Sequence, residues 1–168
     1  LHGLQLSWPV LLIDLGGGST ELVVGEEHQM RWRSSREYGA VRLQESHGGD
    51  LAAVRAQVDA DLQGLPLRAA TVVAVAGTAT MFGALELGLT RWEGDRIHGL
   101  PISRERLQHW AQVFHTLPLQ EAEALAHLAP QRAPYLAPGA VALDCILAAC
   151  GAQQMVLSNG GLRFGLLA

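Results

Sequence analysis

The sequence predicts an α/β protein with a mixed sheet of about five strands and helices on both faces. Two observations carry this prediction. Residues 10–35 form short apolar or alternating runs joined by tight turns. In the remaining chain, segments with helical periodicity alternate with two further apolar runs. With 168 residues, 49% of them hydrophobic and 17% charged, the chain has the size and composition of one globular domain. We therefore expect residues 1–168 to form a single domain.

Three strands are expected first. Residues 10–14 form an apolar run that ends in an acid, and residues 21–25 form a second run. Consecutive glycines between the two runs indicate a tight turn. Residues 30–35 alternate with a period of two, as in a strand with one covered face and one solvated face. These segments together predict a three-stranded antiparallel meander.

A helix and a central strand follow the meander. Asp50 is a suitable N-cap, apolar residues recur at helical spacing through residues 51–62, and Gly64 supplies a stop. Residues 72–76 are apolar on both faces, as expected of a strand inside a parallel sheet. Gly77 then opens another helix. This change from hairpins to a crossover connection predicts that the sheet is mixed.

The remaining chain is mainly helical. Ser103 precedes an apolar stripe with the spacing of an amphipathic helix, and residues 140–150 are also helical in pattern. The Pro- and Ala-rich stretch 129–138 is expected to be a surface connection. Residues 154–157 form a last short strand, and a terminal helix is expected from Leu162.

Composition disfavours two classes of function. The net charge of −4 and the pI near 5.9 provide no excess of basic residues for nucleic-acid binding. No apolar run approaches the roughly 18 residues that cross a membrane, and the start lacks the regions of a signal peptide. Cys145 and Cys150 are expected to be free thiols. We therefore expect a cytoplasmic protein that binds neither nucleic acid nor membranes.

The turn between the first two strands carries the most specific chemical signal. Gly16, Gly17 and Gly18 allow positive φ and leave no β-carbons at the rim, so that backbone N–H groups can converge on a phosphate. Ser19 and Thr20 add hydroxyl donors. Each hydrogen bond to a charged oxygen contributes about 1.5 to 3 kcal/mol, so several together can hold a phosphate. An ordinary glycine-rich hairpin is the alternative.

Acids stand at both ends of this turn. A carboxylate about 4 Å from a phosphate charge is repelled by on the order of 4 kcal/mol at an effective dielectric constant of about 20. A divalent cation bound between the carboxylate and the phosphate replaces this repulsion with attraction. Oxygen ligands suit Mg²⁺, which keeps much of its hydration. We therefore expect Asp14 and Glu21 to be ligands of Mg²⁺ or of its bound water.

The turn and three later segments closely resemble the exopolyphosphatase and guanosine pentaphosphate phosphatase family. They occur in the family's order and span nearly the whole chain. The four segments are the glycine turn with its flanks (Ile13–Leu22), the segment after the third strand (Gly39–Leu43), a second glycine turn (Ala76–Thr80) and a C-terminal motif (Ser158–Leu167).

This resemblance implies a ribonuclease H-like, actin-type domain, the second of two that close over a phosphate chain. Family enzymes use Mg²⁺ to remove terminal phosphates from polyphosphate or from guanosine pentaphosphate, which would be the partners of this chain. By motif position, Asp14 and Glu21 would be catalytic residues at the metal and the attacking water. Residues Gly16–Thr20 would bind phosphate, and Gly77 and Thr78 would line the opposite side.

Departures from the family pattern limit the expected activity. The family's first domain is not in this sequence, and the catalytic glutamate that the family carries upstream of the loop is missing too. Gly160 and Phe164 also depart from the last motif. The chain alone is therefore expected to bind phosphate weakly and to hydrolyse slowly or not at all. The alternative is a non-catalytic binding or sensing domain, with a homodimer as a possible assembly; half of an actin-like kinase is the third candidate.

Several basic side chains are further candidates. Arg42 and Arg163 could grip phosphate in a bidentate way or form ion pairs. Three arginines within residues 31–36 form a basic edge that could attract a polyanion or simply face solvent. His98 could contact substrate or structure its loop.

Overall fold

The structure is a computed structural model that describes residues 3–27 and 29–160. Its strands are β1 (Val10–Leu15), β2 (Thr20–Glu26), β3 (Gln29–Arg36), β4 (Thr71–Val75), β5 (Pro101–Ser103) and β6 (Gln154–Leu157). Its helices are α1 (Ala40–His47), α2 (Leu51–Leu62), α3 (Ala76–Glu86), α4 (Gly94–Ile97), α5 (Arg104–Thr116), α6 (Leu119–Leu125) and α7 (Ala133–Cys150). The helix expected from Leu162, with Arg163 and Phe164, lies outside the described residues.

The described strands form one mixed six-stranded sheet in the order β3-β2-β1-β4-β6-β5. The predicted antiparallel meander is confirmed, with Asp14 opposite Glu21 and Glu21 opposite Ser35. Strand β4 lies parallel to both β1 and β6, which confirms its central position. Strand β5 pairs antiparallel with β6 and was not predicted, because three residues are too few to reveal a period.

Local signals placed several element ends correctly. The Asp50 carboxylate accepts hydrogen bonds from two backbone N–H groups at 3.0 Å at the start of α2. The Ser103 hydroxyl accepts one at 3.3 Å at the start of α5. Gly64, just after α2, has a φ of 74°, which favours glycine over other residues. Cys145 and Cys150 are free thiols, as predicted.

Helix α7 begins earlier than the sequence suggests. The prediction of a surface connection over residues 129–138 is wrong, because a 3-10 turn occupies Pro130–Arg132 and α7 follows it directly. Pro134 is tolerated in the first turn, where backbone N–H groups have no intrahelical partner. Leu136 and Pro138 are buried, so packing against the core offsets the helix hydrogen bond that Pro138 cannot make.

The 3-10 turn and α7 form a continuous segment, Pro130–Cys150, whose length and apolar composition would allow it to cross a membrane. This finding corrects the expectation that no run approaches that length. However, 72% of its most apolar window is buried inside the protein, as in the core helix of a globular domain. Gly139 lets this helix come close to the first turn of α3, since a Cβ there would lie 2.6 Å from Cγ2 of Thr78.

A buried ion cluster joins α7 to two other helices. Asp144 is 1% exposed, and its carboxylate accepts hydrogen bonds at 2.7 Å from Arg55 of α2 and at 2.7 Å from Arg104 of α5. Gln108 donates a further bond at 3.2 Å. Burial raises the pKa of Asp144, but the hydrogen bonds from Arg104 and Arg55 outweigh it and hold the pKa below its usual value of 3.8. The carboxylate is therefore a charged link between three helices.

Candidate functional site

Turns from three strands meet at one edge of the sheet. Because β1, β4 and β6 are parallel, their carboxyl ends share an edge, and β2 begins at that same edge. They are the glycine turn after β1 (residues 16–19), the first turn of α3 after β4 (residues 76–78) and the turn after β6 (residues 158–160). The chain leaves β1 toward β2 on one side of the sheet and leaves β4 toward β6 on the other side, so the connections diverge between β1 and β4. In open α/β sheets, such a switch point forms the crevice that binds ligands.

The glycine turn keeps several backbone donors available. The Gly16 N–H donates to the Ser19 carbonyl at 2.9 Å and closes the turn. Within residues 3–27 and 29–160, the N–H groups of Gly17, Gly18 and Ser19 donate no hydrogen bond. Gly17 and Gly18 are also exposed. These donors are therefore accessible to an anion.

Helix α1, which the sequence analysis did not predict, orients the turn. Its first N–H groups, from Ala40 and Val41, donate to the carbonyls of Gly16 and Gly17 at 2.9 and 3.0 Å. In a trans peptide the C=O and the following N–H point in opposite directions. The N–H groups of Gly17 and Gly18 therefore point away from α1. Gly39 makes this approach feasible, because a Cβ there would lie 2.5 Å from the Gly16 carbonyl oxygen.

The two predicted carboxylates lie side by side. Asp14 and Glu21 are direct cross-strand partners on β1 and β2. Burial, and then the charge of Glu21, raises the pKa of Asp14 above its usual 3.8. The Glu21 carboxylate accepts hydrogen bonds from the Ser19 hydroxyl at 2.7 Å and from the Ser35 hydroxyl at 3.0 Å. Two adjacent carboxylates that repel each other form a site that a cation would stabilise.

The donor set fits Mg²⁺ better than a metal that needs many protein ligands. The part of the chain that the structure describes contains no group of three or more His, Cys, Asp or Glu side chains placed to hold a metal. Mg²⁺ is commonly held by one or two carboxylates, with water and substrate phosphate completing its shell. Asp14 and Glu21 would be those ligands, and the adjacent N–H groups would hold the phosphate.

The two predicted hydroxyl donors differ in their placement. Thr20 is fully buried, and its hydroxyl donates to the Tyr38 carbonyl at 2.7 Å. The Thr20 hydroxyl is thus buried and engaged with a backbone carbonyl, which differs from the expectation that it donates to phosphate. Ser19 donates to Glu21 and so orients that carboxylate.

The start of α3 forms the opposite side of the site. Its N-cap, Val75, provides no side-chain hydrogen bond, so the first N–H groups of the helix lack intrahelical partners. Gly77 and Thr78 stand in this first turn, as predicted. A helix N-terminus with free N–H groups favours an anion, and Thr78 in this first turn lines the same cleft as Gly17.

Arg132 is a site residue that the sequence analysis missed. Its guanidinium lies directly over Gly77, where a Cβ would overlap it. The described residues provide it with no ion pair or hydrogen-bond partner. A cleft of about 300 Å³ is lined by Gly17, Ala40, Val41, Thr78, Gln131, Arg132, Tyr135 and Leu136. No local pattern reveals this role, because it depends on the early start of α7.

Ala76 is the strained residue of the site. It has a φ of 72°, which a residue with a Cβ adopts at a cost of about 1–2 kcal/mol. Ala76→Gly should remove that strain, offset by the chain entropy of glycine at about 0.5–1 kcal/mol. We expect stabilisation of about 1 kcal/mol and a Tm increase of about 2–4 °C in thermal unfolding.

The matched control is Ala56→Gly at an exposed position inside α2, where glycine should cost about 1 kcal/mol. A lower Tm for Ala76→Gly would contradict the strain argument.

The third turn is held by His98. Its Nδ1 lies 3.3 Å from the Ser158 hydroxyl and accepts a bond from the Asn159 N–H at 3.4 Å. The Ser158 N–H donates to the Ala74 carbonyl at 2.9 Å, which anchors this turn beside β4. These contacts favour the loop-structuring role of His98. Arg42, in turn, donates to the Glu37 carbonyl at 3.0 Å beside the glycine turn.

Comparison with known proteins identifies relatives of this chain. The model of the Ppx/GppA phosphatase family matches residues 2–168. Exopolyphosphatase 2 of Mycobacterium tuberculosis is 32% identical over 148 residues, which cover 81% of this chain and 46% of that protein. A guanosine-5'-triphosphate,3'-diphosphate pyrophosphatase of Aeromonas hydrophila is 30% identical over 171 residues, which cover 94% of this chain and 33% of that protein. The chain thus spans less than half the length of these relatives.

A solved structure shares the fold. The crystal structure of the Aquifex aeolicus Ppx/GppA family member has a TM-score of 0.88 and 25% identity to this chain. The match covers 94% of this chain and 54% of that one. The predicted actin-like fold is therefore confirmed.

Proposed function

We propose a function on the premise that this chain belongs to the Ppx/GppA phosphatase family. The chain forms one half of a two-domain phosphohydrolase site, and that site releases the terminal phosphate of polyphosphate or guanosine pentaphosphate by Mg²⁺-assisted attack of water. The observation that carries the proposal is the convergence of the glycine turn, the Asp14–Glu21 pair and the start of α3 at one sheet edge.

Each group has a defined task in this proposal. The N–H groups of Gly17 and Gly18 bind oxygens of the terminal phosphate, and Arg132 binds it from the opposite side. Asp14 and Glu21 hold Mg²⁺, with Ser19 and Ser35 orienting Glu21. When bound, Mg²⁺ would neutralise charge that develops on the phosphoryl oxygens and make a coordinated water more acidic.

A second candidate is a domain that binds phosphate without turnover. One observation favours it: within residues 3–27 and 29–160, no third His, Cys, Asp or Glu joins the carboxylate pair at metal distance. In this arrangement both carboxylates are assigned to Mg²⁺, so neither is left to act as a general base for the attacking water. Both candidates share the phosphate and metal sites and differ only in turnover.

Binding is tested with Asp14→Asn. With Mg²⁺ present, orthophosphate is expected to raise the Tm of the wild type, and Asp14→Asn should lose this Mg²⁺-dependent increase. In metal-free buffer the variant should instead have a higher Tm than the wild type at neutral pH, since the raised pKa means that the charged form of Asp14 opposes folding.

Glu27→Gln, at an exposed carboxylate in the β2–β3 turn, is the control. It should change neither the Mg²⁺-dependent Tm increase nor the Tm in metal-free buffer. Loss of stability in Asp14→Asn without metal would contradict the cation-site interpretation.

Turnover is tested by phosphate release from long-chain polyphosphate and from guanosine pentaphosphate with Mg²⁺. Release that Glu21→Gln abolishes supports the phosphohydrolase, because Glu21 is one of the two proposed Mg²⁺ ligands. Binding of orthophosphate without release of phosphate supports the second candidate. If the protein neither binds orthophosphate nor releases phosphate, the proposed phosphate and metal site is wrong.

A further inference from the structure

The basic side chains of this protein differ in whether they are neutralised. Its cationic residues are all arginines, and most of those described form ion pairs or hydrogen bonds. In the described part of the chain, three guanidinium groups have no such partner: Arg33, Arg68 and Arg132. Arg132 belongs to the site above, which leaves two arginines whose charge has no assigned role.

Arg33 lies on the face of the sheet that carries the carboxylates. Asp14, Glu21 and Ser35 are consecutive cross-strand partners on β1, β2 and β3. Residues two apart in a strand share a face, so Arg33 lies on the same face as Ser35, roughly 7 Å further along β3. Its side chain is exposed, and the residue diagonal to it on β2 is Glu21.

The other two arginines of β3 already have ion-pair partners. Arg31 forms an ion pair with Glu26 at 2.6 Å. Arg36 forms an ion pair with Asp61. The basic edge expected from the sequence is thus reduced, among the described residues, to a single unneutralised charge beside the candidate site.

We propose that Arg33 forms a second anion subsite, which holds the phosphoryl group next to the terminal one in a linear phosphate chain. The inference rests on the proposed function, because the terminal phosphate must occupy the glycine turn. A planar guanidinium can bind two phosphate oxygens at once, and an exposed arginine can turn back along the sheet face to do so. The subsite recognises phosphate groups, whether in an inorganic chain or in the tail of a nucleotide.

The test is calorimetric titration of the full chain in Mg²⁺ with orthophosphate and with inorganic tripolyphosphate. Wild type should bind tripolyphosphate more tightly than orthophosphate. Arg33→Gln should weaken tripolyphosphate binding by about fivefold to tenfold and leave orthophosphate binding unchanged. Arg68→Gln removes the same charge from an exposed residue before the amino end of β4, at the opposite edge, and should leave both affinities unchanged.

The outcomes separate the two proposals. If Arg33→Gln matches the wild type with tripolyphosphate, or if Arg68→Gln weakens binding equally, the subsite is wrong while the proposed function stands. If the wild type binds neither ligand, the proposed function fails as well. A parallel titration with GTP decides the source of the phosphates: an equal loss with both ligands supports recognition of phosphates alone. A loss confined to GTP would assign Arg33 to the nucleoside and overturn the subsite.

Discussion

Gly39→Ala is expected to weaken orthophosphate binding more than tenfold, a loss of at least about 1.4 kcal/mol. The backbone of Gly39 has a φ of −146° and a ψ of 176°, which alanine adopts without strain, so the effect is purely steric. The added Cβ would lie 2.5 Å from the Gly16 and Gly17 carbonyl oxygens. Either the turn or α1 must move, and the N–H groups of Gly17 and Gly18 then lose their common direction.

Calorimetric titration of orthophosphate in Mg²⁺ measures this effect. The control is Gly48→Ala at the other end of α1, where φ is 56° and a Cβ meets nothing within 4 Å. That change should cost about 1 kcal/mol of stability through backbone strain but leave the affinity unchanged. Equal affinities for Gly39→Ala and the wild type would show that the α1 contact does not orient the turn.

Asp144→Asn is expected to lower the free energy of unfolding by about 3 kcal/mol, the largest stability effect we anticipate. The substitution keeps the shape of the side chain but removes the charge that Arg55 and Arg104 share. Arg55 is 41% exposed and can regain water, whereas Arg104 is 24% exposed and would remain largely unsolvated. The estimate therefore lies at the low end for breaking a buried ion pair.

Urea unfolding of both proteins measures this difference, with Glu26→Gln as the control. Glu26 pairs with Arg31 on the exposed surface, where solvent screens the pair, so its neutralisation should change stability far less than Asp144→Asn does. Because the pKa of Asp144 is lowered, its contribution is present above pH 3.8 and declines as the pH falls below that value. The difference in unfolding free energy between wild type and Asp144→Asn should therefore become smaller in acid. A difference that does not depend on pH would contradict the ionic origin of this stabilisation.

Local chemistry made much of the fold predictable. The meander and β4 follow from short-range apolar patterns, and the starts of α2 and α5 follow from Asp50 and Ser103. The proximity of Asp14 and Glu21 is predictable from the sequence, because a tight turn sets the register of a hairpin. Among the elements that were not predicted, β5 and α1 lack such signals. Strand β5 is short, and the N-cap of α1, Gly39, offers no side chain.

The sequence by itself determined the glycine turn, its two acids and the class of the fold, since each depends on residues that are neighbours along the chain. The tertiary structure alone decided which groups surround the turn. Thr20 faces the Tyr38 carbonyl, Gly39 lets α1 contact the turn, and Arg132 reaches Gly77 from the start of α7. These contacts join distant segments, and their geometry comes from packing α1 and α7 against the sheet edge, which no local periodicity encodes.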